Sequence, residues 1–447
     1  MNEHVFRAYD IRGVADHDLT DPFVFALGQA FATLVGRDHG RRKIAVGRDC
    51  RLSSDRIFRA FSSGLRASGA DVVDLGVVSS PVLYWAAHHF TTDGAVQITG
   101  SHNPAEYNGF KMMLGTSTLH GDAIAELKRL VTRGDFASGD GGVIEVEPLG
   151  AYVDDIAGRV TVTRPLKVVV DGGNGTGGPP AVALLERMGV EIVPLYVDMD
   201  GRFPNHHPDP TVEANLAELR AAVLEHGADL GVAYDGDADR IGVIDDAGHV
   251  LWGDRLMILL ARDILAEHPG AAIVGEVKCS KTLYEDIEAR GGRPIMSQVG
   301  HSLIKARMKV EKALLAGEMS GHIFYADRWY GFDDAVYVTA RLLEIIAREG
   351  RALSELLADV PVTHVTPEIR VPCPDDEKFD VVARAAAHFG EHHPVVDIDG
   401  ARVDFGDGWG LIRASNTQPV LVLRAEAEDA AALARIRATL EGFVGAS

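Results

Sequence analysis

Three carboxylates recur at alternate positions in the segment AYDGDADR, at Asp235, Asp237 and Asp239. They follow the apolar run LGVAY, so they sit where a strand gives way to a loop. Hard divalent cations take carboxylate oxygens, and Mg2+ in phosphate chemistry needs few protein ligands beside the phosphate. The small residues Gly236 and Ala238 let the backbone curl the three side chains together. Two readings fit: a divalent-cation site, or an acidic turn between two strands. An EF-hand does not fit, because Arg240 takes the place that needs glycine and strands rather than helices flank the loop.

A second segment, ITGSHNPAEYNGFK, places Ser101 beside His102 on a loop rich in turn-forming residues. The hydroxyl is a candidate nucleophile. The spacing is not the G-x-S-x-G elbow of hydrolases, so acyl transfer is not indicated, and such a serine needs a base or a metal to activate it. The aspartate triplet could supply the metal; a structural Ser-His loop is the competing reading. Near the C-terminus, GLIRASNTQPVLVLRAE carries Arg413, Ser415, Asn416 and Thr417 between apolar segments. A guanidinium with hydroxyls, an amide and backbone N–H groups can cradle a phosphate; the same residues also suit a polar hairpin turn. In GEMSGH, Glu318, Ser320 and His322 alternate, which places them on one face, suited to sugar hydroxyls or to a solvated bend. Two other segments read as structural. KVVVDGGNGTGG departs from the dinucleotide fingerprint G-x-G-x-x-G, and the adjacent histidines of NHHPDP suit a turn better than a metal site.

Strands and helices must hold these loops. Short β-branched runs at 43–49, 95–100, 167–173, 229–236 and 271–277 are each followed by Gly or Asp, and amphipathic stretches at 54–68, 181–189, 213–226, 281–290 and 302–309 fill the gaps. The alternation predicts α/β architecture with ligands at loops that follow strands. The last part, with helices predicted at 377–389 and 429–443 around several strands, reads as α+β. Composition breaks at 134–142, 249–254 and 361–375 divide the chain into four domains, taken as 1–147, 148–250, 251–362 and 363–447.

The 447 residues carry 44 Lys and Arg against 65 Asp and Glu, a net charge of −21. That balance, with no Lys/Arg run, argues against nucleic-acid binding. Three scattered cysteines make neither a disulfide framework nor a Cys-based zinc site. No signal peptide or membrane span is read, so a cytoplasmic protein without membrane partners is expected.

FRAYDIRG, AVGRD, TGSHNPAEYNGFK, FPNHHPDP, DGDADR, GHSLIK, GEMSGH, GFDDAVY and WGLIRASNTQPVLVLR occur in that order along the chain. As an ordered set they resemble the α-D-phosphohexomutase superfamily, and within it the bacterial phosphomannomutase/phosphoglucomutase branch. The resemblance implies three similar mixed α/β domains and a C-terminal α+β domain around a central cleft, carrying in turn the phosphoserine loop, the metal loop, the sugar loop and the phosphate loop. It implies an isomerase that interconverts hexose 1- and 6-phosphates of mannose and glucose. Ser101 would be the phosphoserine, with His102 beside it, and the hexose 1,6-bisphosphate would turn over within the cleft. Mg2+ would be held by Asp235, Asp237, Asp239 and a Ser101 phosphate oxygen, with glucose 1,6-bisphosphate as activator. Glu318, Ser320 and His322 would bind sugar hydroxyls, and Arg413, Ser415, Asn416 and Thr417 the non-reacting phosphate. Tyr9, Arg12, Lys111, Arg240, Lys278 and His301 match cleft residues, with His301 or Lys111 handling protons. The expected partners are hexose phosphates alone, bound by a monomer. Ala238 is shared with the phosphoglucosamine mutase branch, whereas GEMSGH and YNGFK resemble the mannose/glucose branch. The alternatives are therefore a phosphoglucosamine mutase, a Mg2+ phosphatase, or a sugar-phosphate-binding protein without activity.

Overall fold

The computed structural model describes residues 3–7, 10–39, 42–415 and 418–445. Tyr9, Asn416 and Thr417 lie outside the described residues.

Four sheets follow one another along the chain. In the first, Lys43–Arg48 pairs in parallel with Asp71–Val77 and Gly94–Ile98, and Tyr107–Leu114 then runs antiparallel to Gly94–Ile98. The second repeats the plan: Lys167–Asp171 is parallel to Glu191–Leu195 and Leu230–Tyr234, and Ile241–Asp245 returns antiparallel to Leu230–Tyr234. In the third, Ala272–Glu276 is parallel to Arg293–Ser297 and Leu315–Gly317, and Ile323–Tyr325 returns antiparallel. The fourth sheet is antiparallel throughout, and its centre pairs Gly408–Ala414 with Val420–Ala427. This is the expected three mixed α/β units with an α+β unit behind them.

Each chemistry-bearing loop, at 99–106, 235–240, 318–322 and 415–419, joins two antiparallel neighbours in a sheet. At 99–106, 235–240 and 318–322 both ends of the loop are pinned by ladder hydrogen bonds, which holds its side chains more rigidly than a strand-to-helix turn would.

The predicted helices form with small shifts. The stretch 181–189 is the helix Gly178–Arg187, which starts earlier because Pro179 and Pro180 fit the first turn, where a missing N–H costs nothing. The stretch 213–226 divides into a 3-10 turn, Glu213–Leu216, and the helix Ala217–His226. Ser53 and Ser54 resemble a helix cap in sequence, yet Ser53 makes no side-chain cap at the start of Ser54–Ala67. Their hydroxyls instead accept from Asn108 Nδ2, each at 2.9 Å, which ties the helix to the strand that leaves the Ser101 loop.

A continuous apolar core runs through the first three units and includes Trp85, Tyr152, Leu184, Leu260 and Leu343. The fourth unit has its own core around Val381, Ile412, Leu423 and Ile436. Its apolar contact with the third is a cluster of Val277, Trp409 and Leu411, beside Arg402, whose guanidinium stacks 3.6 Å from the Trp409 ring and donates to the Cys279 carbonyl. No helix of the described residues is long and apolar enough to cross a membrane.

Candidate active site

The Ser101 loop is built around a buried guanidinium. Arg51 donates to the carbonyls of Ser101 at 2.7 Å, Asn103 at 2.6 Å, Tyr107 at 3.0 Å and also Pro104. Asp49 completes the support: its carboxylate accepts from Arg51 Nε at 3.1 Å, Thr99 Oγ1 at 2.8 Å and Gly100 N at 3.2 Å. Held this way, Ser101 takes a left-handed backbone, with φ of 50°, a strained conformation for a residue other than glycine. Its Oγ lies 2.9 Å from Asp235 Oδ2 and 3.1 Å from His102 Nδ1. Burial, with the Arg240 and Arg12 charges, keeps the His102 imidazole well below its ordinary value and so neutral.

Asp235, Asp237 and Asp239 converge as their spacing allows, with all three fully buried and one oxygen of each within 4.8 Å of the others. The glycine between the first two carboxylates has a steric reason: a Cβ at Gly236 would stand 2.4 Å from the Ser101 carbonyl oxygen. Thr176, in the glycine-rich turn after Lys167–Asp171, braces the loop by donating from N to the Gly236 carbonyl at 3.0 Å. That turn leads into the helix Gly178–Arg187. Ala238 adopts φ of 62°, a conformation that glycine takes without strain. Lys111 Nζ donates to Asp237 Oδ2 at 2.5 Å and to Asp239 Oδ2. Burial opposes the lysine's charge, but the two carboxylates outweigh it and hold the ammonium well above its usual range.

The carboxylate set fits a divalent cation. Asp237 Oδ1 is buried and accepts no hydrogen bond among the described residues, Asp239 Oδ1 faces His322 Nε2 at 3.2 Å, and the second oxygen of each is occupied by Lys111. Buried carboxylate oxygens without donors are costly unless something cationic meets them. The hard oxygen donors and the neighbouring serine oxygen match Mg2+ chemistry.

Glu318, Ser320 and His322 come together by a different route from the one their spacing suggested. The segment is not an extended strand with alternate residues on one face. It is a tight turn, in which Glu318 N donates to the His322 carbonyl at 2.9 Å and Gly321 has φ of 89°. Glu318 and His322 therefore face each other, with His322 Nδ1 2.6 Å from Glu318 Oε2 and Ser320 Oγ 3.3 Å from the same nitrogen. His322 Nε2 lies 3.2 Å from Asp239 Oδ1, which joins the sugar loop to the carboxylate triplet. Burial works against both charges, yet Asp239 and Glu318 hold His322 up at about 9, and His322 holds Glu318 down at about 2.

The remaining residues surround this centre. Arg240 Nε is 3.3 Å from His322 Nε2, and His301 stacks on His322 with ring centroids 5.6 Å apart. Arg12 pairs with Asp10 at 2.8 Å. Lys278 pairs with Glu368 at 2.8 Å across the third and fourth units. Arg413 pairs with Asp399, whose carboxylate also accepts from Val299 N at 2.9 Å beside the His301 helix. Ser415 accepts from Gln418 N at 3.2 Å within its loop.

Sequence reasoning missed the groups that hold these side chains. Glu276, fully buried, accepts from Lys278 N at 2.5 Å and Met319 N at 3.3 Å. Asp333 binds Lys305 at 2.9 Å and stands 3.6 Å from His301 Nδ1. Asp49 and Asp333 lie inside AVGRD and GFDDAVY, so the motifs flagged their positions; only the contacts assign them work.

The chain matches four family models in sequence order: phosphoglucomutase/phosphomannomutase alpha/beta/alpha domain I over residues 3–138, domain II over 150–248, domain III over 252–363 and the C-terminal domain over 368–442. It is 45% identical to the phosphomannomutase/phosphoglucomutase of Pseudomonas aeruginosa PAO1, over 97% of this chain and 94% of that protein. A crystal structure of a phosphoglucomutase/phosphomannomutase family protein from Burkholderia thailandensis superposes with a TM-score of 0.94 at 43% identity, covering 100% of this chain and 98% of the other. The fold extends to the N-acetylphosphoglucosamine mutase of Aspergillus fumigatus, solved with GlcNAc-6P and magnesium, at a TM-score of 0.65 and 16% identity over 97% of this chain and 94% of that one.

Proposed function

Because the chain belongs to the phosphoglucomutase/phosphomannomutase family, we propose that it moves a phosphoryl group between the 1- and 6-hydroxyls of mannose and glucose phosphates, with Ser101 as the carrier. It is an isomerase with phosphomannomutase/phosphoglucomutase activity. The observation that carries the Ser101 assignment is the 2.9 Å contact between its hydroxyl and Asp235 of the buried carboxylate triplet.

In this reading phosphorylated Ser101 gives its phosphoryl group to the free hydroxyl of the bound sugar phosphate. The Ser101 O–P bond breaks and a new O–P bond forms at the sugar; the sugar hydroxyl proton passes to His301, whose imidazole burial holds below its ordinary value, while Lys111, held as an ammonium by Asp237 and Asp239, is the candidate donor to the departing Ser101 oxygen. The resulting hexose 1,6-bisphosphate turns over in the site and returns its other phosphoryl group to Ser101. Asp235, Asp237 and Asp239 hold Mg2+, which when bound offsets negative charge on the transferring phosphoryl oxygens. His102 lies against the carrier hydroxyl. Glu318, Ser320 and His322 bind sugar hydroxyls, and Arg240, beside His322, belongs with Ser101 and His102 to the catalytic set. Arg413 and Ser415, with Asn416 and Thr417, clamp the phosphate that is not reacting, aided by Tyr9, Arg12 and Lys278. Arginine forks and hydroxyls suit a phosphate presented in either sugar orientation.

Phosphorus NMR tests the proposal. The 1-phosphates of mannose, glucose and glucosamine are each incubated with enzyme, Mg2+ and a trace of glucose 1,6-bisphosphate. Conversion of the mannose and glucose compounds to 6-phosphates is expected. Release of inorganic phosphate, an unchanged spectrum, or conversion of the glucosamine compound alone would overturn it.

A further inference from the structure

We propose that Ser80 is a positioning residue for the divalent-cation site, fixing one oxygen of Asp237 so that the other is left for the metal. The inference rests on the reading above that the three aspartates bind a cation.

Ser80 opens the helix Ser80–His89 of the first unit, directly before Pro81. It is 157 residues from Asp237 in sequence, yet it makes two bonds to it. The Ser80 hydroxyl donates to Asp237 Oδ2 at 2.5 Å, and the Ser80 backbone N–H donates to the Asp237 carbonyl at 2.9 Å. Both residues are fully buried. The backbone bond seats the second unit's metal loop on the end of a first-unit helix. The hydroxyl then acts on the carboxylate itself.

The terminal torsion of an aspartate is broad, so nothing intrinsic fixes the plane of its carboxylate. The Ser80 hydroxyl restrains that torsion by holding one oxygen. Asp237 Oδ2 receives Ser80 Oγ and Lys111 Nζ, both at 2.5 Å, while Oδ1 is buried and has no hydrogen-bond partner among the described residues. Lys111 does not select the orientation of Asp237 alone, because its ammonium is shared with Asp239. The Ser80 hydroxyl touches Asp237 and not Asp239, so it is the specific brace. Outer partners of this kind orient metal ligands, and their loss costs about 10–100-fold in metal affinity.

The test is direct binding of Mn2+, read from the electron paramagnetic resonance signal of the free ion, for the full chain and its variants. Asp237→Asn asks whether the carboxylates hold the metal at all: binding equal to wild type there would overturn the cation reading and this inference with it. Given loss in Asp237→Asn, Ser80→Ala is expected to bind Mn2+ about 10–100-fold more weakly, and Ser80→Thr, which keeps the hydroxyl, to stay near wild type. Wild-type affinity in Ser80→Ala, or equal weakening in Ser80→Thr, would overturn the role of the hydroxyl while leaving the cation site standing. Thermal unfolding without metal verifies that each variant is folded. If Ser80→Ala is not, Ser80→Cys, similar in size but a weak donor, is read in its place by the same criterion.

Discussion

The Arg51 guanidinium reaches the Ser101 carbonyl oxygen at 2.7 Å, and the same side chain ties down the carbonyls of Asn103, Pro104 and Tyr107. A loop that must hold a serine at φ of 50° is thus stabilised from inside by one planar cation, itself paired with buried Asp49.

Arg51→Lys keeps the charge beside Asp49 but offers one compact ammonium where several carbonyls are arranged around a fork. Leaving buried acceptors unmet costs about 1–3 kcal/mol. Urea unfolding should show a loss of that size, and turnover should fall by more than stability alone explains, because the Ser101 backbone is no longer held. Unchanged stability and rate would show that the loop holds itself.

Asp237→Asn removes one charge from the cation site while keeping its volume. The initial rate, measured against Mg2+ concentration, should reach half-maximum at a concentration at least about 10-fold higher than in wild type. Chelation should remove wild-type activity, and added Mg2+ should restore it. A variant whose Mg2+ curve overlays that of wild type would contradict the assignment of this carboxylate.

The Lys278–Glu368 pair joins the third and fourth units. Burial raises the Glu368 carboxyl, but the Lys278 charge and hydrogen bond lower it further, to about 2 against an ordinary 4.5. A depressed folded value stabilises above the unfolded one, so the contribution is complete above pH 4.5 and is lost as the pH falls toward 2. The stability difference between wild type and Glu368→Gln in denaturant titrations should therefore shrink across that window. A difference independent of pH would remove the charge from the explanation.

Tyr152 ties the first three units together through its hydroxyl, which donates to Asp334 at 2.8 Å while its ring packs between Trp85 and Trp329. Tyr152→Phe preserves the ring and deletes one donor to a buried carboxylate. A cost of about 1–3 kcal/mol is expected by chemical denaturation, with the metal requirement unchanged. No loss of stability would mean that Trp329 and the Tyr337 N–H satisfy Asp334 without it.

Much of the site was legible because its chemistry is local. Asp235, Asp237 and Asp239 stand five residues or fewer from one another, so residue type, spacing and the small Gly236 and Ala238 were enough to mark a possible cation site. The strands before the serine and aspartate loops were equally legible, since an apolar β-branched run ending in Gly or Asp reports its own conformation. Local reasoning stopped short where two local geometries fit. Alternation places Glu318, Ser320 and His322 on one face of an extended segment, with a bend as the alternative, and Gly321 at positive φ decides for the turn.

What the sequence by itself determined is the set of groups able to do chemistry, and the strands and helices that carry them, because both follow from residue type and short-range periodicity. What only the tertiary structure decided is which groups act on which. Ser80 reaches Asp237 across 157 residues, Ser101 reaches Asp235 across 134, and Lys278 reaches Glu368 across 90. Such contacts depend on how separate sheets pack, and no pattern within a short window encodes them. The same holds for Arg51, whose side chain reads in sequence as one more surface charge until the fold buries it beneath the serine loop.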